Sequence, residues 1–471
     1  MTSATIWVFA PVIAGGILFL LRRYEKVVAI AGTLIALLLA FLSWRLPLGE
    51  ALPFLPSLTI QDSLIILGRQ FSLTHADRPN LILIYLIAAL WFGGAQAARA
   101  GKFLVPLGLI VSGLSTAALA VEPPLYAALL IEMSALVSIP VLAPPGKPVS
   151  RGVLRFITFQ TLGMPFILSS GWFLPVVVID PRSETIVTAI VLLLLGFAFV
   201  AAIFPFHTWL ITLTEEINPY AAAFIFFLAI SNITLFGVNF INQLEWLRND
   251  PLLNSILRLM GGLMVLTGGL WAAFQRHAGR MLGYAIQVMI GSSLLALSLS
   301  TTGTSPGTSA IPSSSGGIEF FLAFFLPNGL ALAIWALALA IIRSHTGDLT
   351  FHGLRGLVYR QPFSSAGLLA AHFSLASLPL LAGFPLYLSL FTRLSAGSLA
   401  VALISGLGIS GLMIGALRTL AVLFSSPAGQ PAWAFTETRF QAALLILGVI
   451  LLLVLGLIPH IFFPLFNISI P

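Results

Sequence analysis

Cysteine is absent from the 471 residues, which excludes disulfides, cysteine-ligated iron–sulfur clusters and a cysteine nucleophile within this chain. Charge is scarce too: Asp, Glu, Lys and Arg together make up 8%, against 59% hydrophobic residues and a mean hydropathy of +1.06. Such a balance belongs to a polytopic membrane protein and not to a soluble domain. There is no phosphate-cradling glycine motif, no His-Glu-x-x-His and no Gly-x-Ser-x-Gly, so no cofactor is expected. His277, His345 and His352 lack the tight His or carboxylate spacing of a metal site, and no metal is expected either. Nor does a charged segment with a small-residue cleavage site precede the first apolar run, so Ile6 to Leu21 reads as a retained helix. The net charge of +7 is assigned to loops at the membrane surface, and no nucleic acid is expected as a partner.

What remains is apolar runs. About fourteen are long enough to cross a bilayer at ~20 residues each, from 6–21 to 439–464. The fold class expected is therefore an all-α polytopic membrane protein. Of the 22 Lys and Arg residues, one set of alternate connections takes Arg22, Arg23, Lys26, Arg99, Lys102, Lys147, Arg151, Arg155, Arg276, Arg280, Arg343, Arg355, Arg360, Arg418 and Arg439. That set is expected to be cytoplasmic, which puts both termini outside the cell membrane. The outer loops would include 45–79 and the neutral Ser/Thr/Gly/Pro segment 301–316, whose low complexity predicts flexibility.

Two of the runs carry prolines where a helix should continue. Pro205 interrupts the run 188–212, and Pro379, Gly383 and Pro385 interrupt the run 364–393. Proline removes a backbone donor and kinks a helix, which lipid tolerates only where protein or water satisfies the freed groups. Two broken spans in corresponding halves predict a pair of inverted repeats. The organisation expected is three helices and the outer loop in 1–102, a first repeat in 103–241, a second in 251–424 and a last helix in 439–471.

The stretch Pro205-Phe-His-Thr-Trp-Leu, with Pro219 following, resembles the discontinuous seventh helix of the antiporter-like subunits of respiratory complex I, related hydrogenases and Mrp-type cation/proton antiporters. The resemblance runs nearly the full length in order. It includes Asp77-Arg-Pro-Asn-Leu, Ile131-Glu-Met133, Arg155-Phe156, Leu282-Gly-Tyr284, Gly356-Leu357, Pro362 and Ser374-Leu-Ala-Ser-Leu-Pro379 with Ala382-Gly-Phe384. It implies a non-catalytic membrane subunit of an oxidoreductase complex of the NADH:quinone type, working in the proton-translocation position beside other membrane subunits. The departures are as specific. Positions that carry lysine or another charged group in that family are here Val200, Ser231 and Tyr387, and Phe320 to Ile342 holds no ionisable residue.

Three residues are candidates for what is left of a proton path. Glu132 lies inside a span, where a carboxylate is costly and is by default functional; the alternative is a hydrogen-bonded relic. His207 could relay a proton or cap a carbonyl freed at the break. Arg393 could replace the charge missing at Tyr387, or reach for the headgroups. Trp209 reads as an interfacial anchor, and Glu215 with Glu216 as a solvated loop pair. The leading expectation is thus an antiporter-like subunit with a depleted axis. The alternatives are an Mrp-type cation/proton antiporter component and a generic solute transporter, though Val200, Ser231 and Tyr387 offer a solute few polar contacts.

Overall fold

The structure is a computed structural model that describes residues 2–46, 51–52, 55–59, 61–66, 68–146, 148–179, 185–244, 251–299, 316–425, 433 and 435–462. Lys147 and the segment 301–315 lie outside them. The chain forms two compact units, one of 1–96, 100–201 and 224–246, the other of 97–99, 202–223 and 247–471.

The first unit holds a π-turn Thr5–Phe9 and helices α1 (Ala10–Leu20), α2 (Glu25–Arg45), α3 (Arg78–Gly94), α4 (Leu104–Ala120), α5 (Ala127–Leu142), α6 (Arg151–Ile179), α7 (Thr185–Val200) and most of α9 (Pro219–Gln243). Local chemistry sets the entry to α3. Thr74 and Asp77 form a capping box, Pro79 sits in the first turn where its missing N–H is not needed, and Arg78 donates to the carbonyls of Ser43 (3.1 Å) and Trp44 (2.6 Å) at the end of α2. The core here gathers Trp7, Leu39, Leu73, Leu81 and Tyr85. The Tyr85 hydroxyl finds the Trp7 carbonyl and Thr116 Oγ1, so even this buried phenol is satisfied.

The segment 45–79 departs from the all-α expectation. It contains the hairpin β1 (Ala51–Leu52) with β2 (Leu55–Thr59), then β3 (Ser63–Ile66) antiparallel to β4 (Arg69–Ser72), which also pairs β5 (Val121–Glu122). Ser63-Leu-Ile-Ile66 and Arg69-Gln-Phe-Ser72 are four residues each and carry no period-two alternation, so pattern does not mark them as strands.

The second unit holds α8 (Thr208–Glu216), α10 (Pro251–Phe274), α11 (Ala278–Ser298), α12 (Gly316–Thr346), α13 (Pro362–Leu375), α14 (Gly383–Gly397), α15 (Leu399–Phe424), α16 (Arg439–Leu457) and the short α17 (Pro459–Phe462). Helices α11 and α12 are almost wholly buried, whereas α15 and α16 leave most of their apolar side chains uncovered. With no water in a bilayer core, an uncovered apolar face meets lipid or another membrane chain. Small residues let α10 and α15 touch: a Cβ built on Gly269 would lie 1.7 Å from the Gly408 carbonyl oxygen. Among the described residues nine helices are long and apolar enough to cross a membrane, and Thr5–Leu20, Leu104–Ala120 and Thr185–Val200 are shorter apolar helices. The protein is a mostly helical, multi-pass membrane protein.

Candidate functional site

In the first unit Glu132 is half-buried on α5, between buried Ile131 and exposed Met133. No ion pair to it is present among the described residues. Val200 is the last residue of α7 and is buried. Its carbonyl, which has no helical partner beyond the end, accepts from Gln160 Nε2 of α6 at 3.0 Å. Ser231 on α9 is buried, and its hydroxyl returns to the Phe227 carbonyl at 2.6 Å. The next residue, Asn232, donates from Nδ2 to Ser115 Oγ of α4 at 2.5 Å. The polar groups at Val200 and Ser231 are hydrogen-bonded, but neither residue can carry a charge.

At the first interruption α7 stops at Val200 and α8 starts at Thr208, with a cis Phe204–Pro205 bond between them. Ala202 takes a left-handed φ of 53° there, a conformation that costs a residue with a Cβ. Phe204 and Pro205 are exposed. His207 is the N-cap residue of α8 by position, but its side chain makes no capping bond, its Nδ1 has no partner, and its ring stacks on Phe204 at 5.6 Å. The carbonyl cap expected of it is not formed. Trp209, on α8, is buried at 1% exposure, so it is a core residue and not the interfacial anchor expected.

At the second interruption α13 stops at Leu375 and α14 starts at Gly383, with Ser377 (φ 62°) and Leu380 (φ 76°) left-handed between them. Pro379 is exposed in this segment, whereas Pro385 is buried in the first turn of α14. Gly383 has a steric reason: a Cβ on it would stand 1.9 Å from the Ser374 carbonyl oxygen, and its N–H donates to Ser374 Oγ at 3.3 Å. Tyr387, one turn on, is buried; Ser292 of α11 donates to its hydroxyl at 3.3 Å, and Phe324 of α12 meets its ring edge-on at 5.4 Å. Arg393 is exposed on α14.

Two features escaped the sequence reading. The first is a polar knot at the end of α8. Glu215 is not a solvated loop residue: it lies in the last turn of α8, paired with Arg280 of α11 at 2.7 Å. Arg343 of α12 donates to the carbonyls of Glu216 (3.0 Å) and Ile217, closing off the end of the same helix. Nearby, His277 Nδ1 accepts from Arg280 N at 3.3 Å as the N-cap of α11. Burial holds that imidazole below its usual range, while hydrogen bonds from Thr350 hold the Asp348 carboxyl below the usual carboxylate range. The loop is knitted by Ala278 N to Leu349 O and Phe351 N to Arg276 O, both at 2.8 Å. The second feature is His372, fully buried on α13 and stacked on Trp335 of α12 at 4.1 Å. A lone imidazole in the run Ala366 to Leu375 was a visible signal.

Apolar helices broken twice, with left-handed residues at each break, give the discontinuous-helix architecture found among multi-pass membrane proteins. Residues 159–413 match the family described as NADH:quinone oxidoreductase/Mrp antiporter, TM, and the chain belongs to that family. It is 28% identical over 294 residues to NADH-quinone oxidoreductase subunit N of Deinococcus radiodurans, covering 60% of this chain and 56% of that one. It is 30% identical over 295 residues to the subunit N of Cereibacter sphaeroides (62% and 60%), and 28% identical over 234 residues to formate hydrogenlyase subunit 3 of Escherichia coli (48% and 38%). The chain thus spans between 38% and 60% of the length of these curated relatives. In fold it is similar to a chain of respiratory complex I from Thermus thermophilus, with a TM-score of 0.77 at 21% identity over 98% of both chains. A chain of the Mrp complex from Dietzia gives 0.79 at 17% identity, covering 99% of this chain and 96% of that one.

Proposed function

We propose that this chain is an antiporter-like membrane subunit of a complex I-like quinone oxidoreductase or a related hydrogenase, assembled with other membrane subunits and carrying no redox chemistry of its own. The observation that carries the reading is the pair of interruptions, at 201–207 and 376–382, in a chain of this family. Around them Val200, Ser231 and Tyr387 stand where the resembled subunits carry charged groups. Serine orders water but holds no charge, and valine does neither. The subunit therefore conducts protons weakly through the line that begins at Glu132, with His207 and Arg393 as the other groups left on it. Pro205, Pro379, Gly383 and Pro385 serve the breaks.

The same reading takes the chain as about fourteen spans in two inverted repeats, 103–241 and 251–424, after three helices in 1–102 and before a last helix in 439–471. Both termini face outward, which rests on the excess of Arg and Lys in one set of loops. Cysteines placed at Arg22 and Arg355 in this cysteine-free chain would then label from the cytoplasmic side; labelling from outside refutes the orientation.

The functional test has two arms. Purification in mild detergent should bring down hydrophilic redox subunits; co-purification with antiporter subunits alone would favour the Mrp-type cation/proton antiporter instead. In inverted vesicles, Glu132→Gln should leave proton uptake by the assembled complex nearly unchanged. A Glu132→Gln complex that no longer pumps would overturn the depleted-axis reading.

A further inference from the structure

Buried polar atoms without a partner are concentrated along one side of α13. Gln361 precedes the helix, Ser364 and Ser365 are in its first turn, and His372 lies two turns further on; the spacing puts all four on one side. Each is at most 2% exposed. The Gln361 Oε1, both serine hydroxyls and both ring nitrogens of His372 find no hydrogen-bond partner in the protein. The Leu412 carbonyl of α15 approaches the imidazole without completing a bond to it. Across from the row on α12, Asn328 Oδ1 and Trp335 Nε1 are likewise buried and unpaired, seven residues apart and so on one face. A membrane-embedded chain does not leave a line of such atoms dry, because each would cost several kcal/mol. Water with two or more polar partners is what relieves that cost.

The row has a wet end and a blind end. At the start of α13 the Glu437 carboxylate accepts from the Phe363 N–H (3.2 Å) and the Ser364 N–H, and Thr436 beside it is exposed. From Ser365 to His372 the rise is about 10 Å at 1.5 Å per residue, after which α13 ends at the interruption. The imidazole lies face to face with the Trp335 indole at 4.1 Å, the arrangement in which an aromatic face stabilises a cation. Charged residues on the helices packed against α13 are Glu319, Arg343 and His345 on α12, Arg393 on α14, Arg418 on α15 and Arg439 on α16. All but Arg393 and Arg418 lie at helix ends, which leaves His372 the titratable group in the middle of α13.

We propose that His372 is a proton-binding site, filled from one side through a hydrated row that runs along α13 from Glu437 past Ser364 and Ser365. A water at the blind end gives its proton to a free ring nitrogen, the imidazolium is held against Trp335, and the proton deficit passes back along the waters, past the Glu437 carboxylate, to solvent at the exposed end beside Thr436, which supplies the replacing proton. The site deepens the function proposed above and rests on it for its role in proton traffic. It supplies a titratable group that Val200, Ser231 and Tyr387 do not, and because it opens to one side it stores a proton without short-circuiting the membrane.

The test uses the assembled complex in its native membrane or in vesicles. Ser365→Cys should react with a small, membrane-impermeant thiosulfonate applied to the side that labels Thr436→Cys, whereas Ala336→Cys, equally buried on α12, should stay unlabelled. Ser365→Cys as inert as Ala336→Cys means a dry row and overturns the proposal. Proton release and uptake on a pH jump should lose one titrating group in His372→Gln, and unchanged uptake there would remove His372 from the path even if the row is wet. Both readouts are independent of which subunits co-purify, so failure of the parent-complex assignment would show separately.

Discussion

Arg280 Nε lies 2.7 Å from Glu215 Oε2, tying the first turn of α11 to the last turn of α8. The pair is partly exposed, at 46% and 28% of the two side chains, so its Coulomb energy is screened and its loss costs about 1 kcal/mol or less. Arg343 is different, since its guanidinium is the partner of the carbonyls of Glu216 and Ile217 at the end of α8. Stranding those acceptors costs roughly 2–3 kcal/mol. Thermal unfolding in detergent should therefore show a clear drop for Arg343→Met and almost none for Arg280→Ala; equal shifts would refute this ranking.

His277 makes the same corner sensitive to acid. Its Nδ1 accepts the Arg280 N–H only while neutral, and burial holds its folded value below 6.5, against the opposing pull of Glu215 and Asp348. For a histidine depressed on folding, the unfolded chain binds the extra proton first. The stabilisation is therefore complete above about pH 6.5 and is lost as pH falls through the lower folded value. Asp348, held low by Thr350, stays charged in that window. A His277→Asn variant keeps a capping oxygen that does not titrate, and its melting temperature should fall less between pH 7 and pH 5.5 than that of the wild type.

The α10–α15 contact should tolerate no side chain at its closest point. With a built Cβ 1.7 Å from the Gly408 oxygen, Gly269→Ala must push two helix backbones apart, at a cost of about 3 kcal/mol. Gly262, on the same helix, has only Val401 and Ile404 methyls at 3.8 and 3.9 Å. Gly262→Ala should remain close to wild type in expression and melting temperature, and a variant as damaged as Gly269→Ala would show that the helix as a whole is intolerant.

Backbone strain at the first interruption gives a further measurable difference. Ala202 is left-handed at φ 53°, which glycine adopts freely and β-branched residues resist. Ala202→Val should cost about 2 kcal/mol, while Ala202→Gly should stay within about 1 kcal/mol of wild type. A valine variant as stable as the glycine variant would mean that this backbone relaxes.

The sequence by itself determined the class of protein and the place of its breaks. Little charge, long apolar runs and prolines at 205, 379 and 385 admit few structures, because a bilayer forces every backbone group into a helix or into protein and water. That is why Glu132 and His207 could be singled out in advance, whereas Val200, Ser231 and Tyr387, and with them Arg393, were marked only by the resemblance to the antiporter-like subunits. Tertiary structure alone decided which polar groups have partners. Nothing local tells Glu215 that Arg280, 65 positions on, will reach it, or tells Trp209 that it will be covered; nor does the sequence show that the neutral groups Gln361, Ser364 and Ser365 align with His372 behind a closed wall. Lipid-facing and core-facing positions of a membrane helix are equally apolar, so hydrophobic pattern does not distinguish them. Only packing of α12 and the neighbouring helices around α13 turns one imidazole in an apolar run into a buried group that needs water.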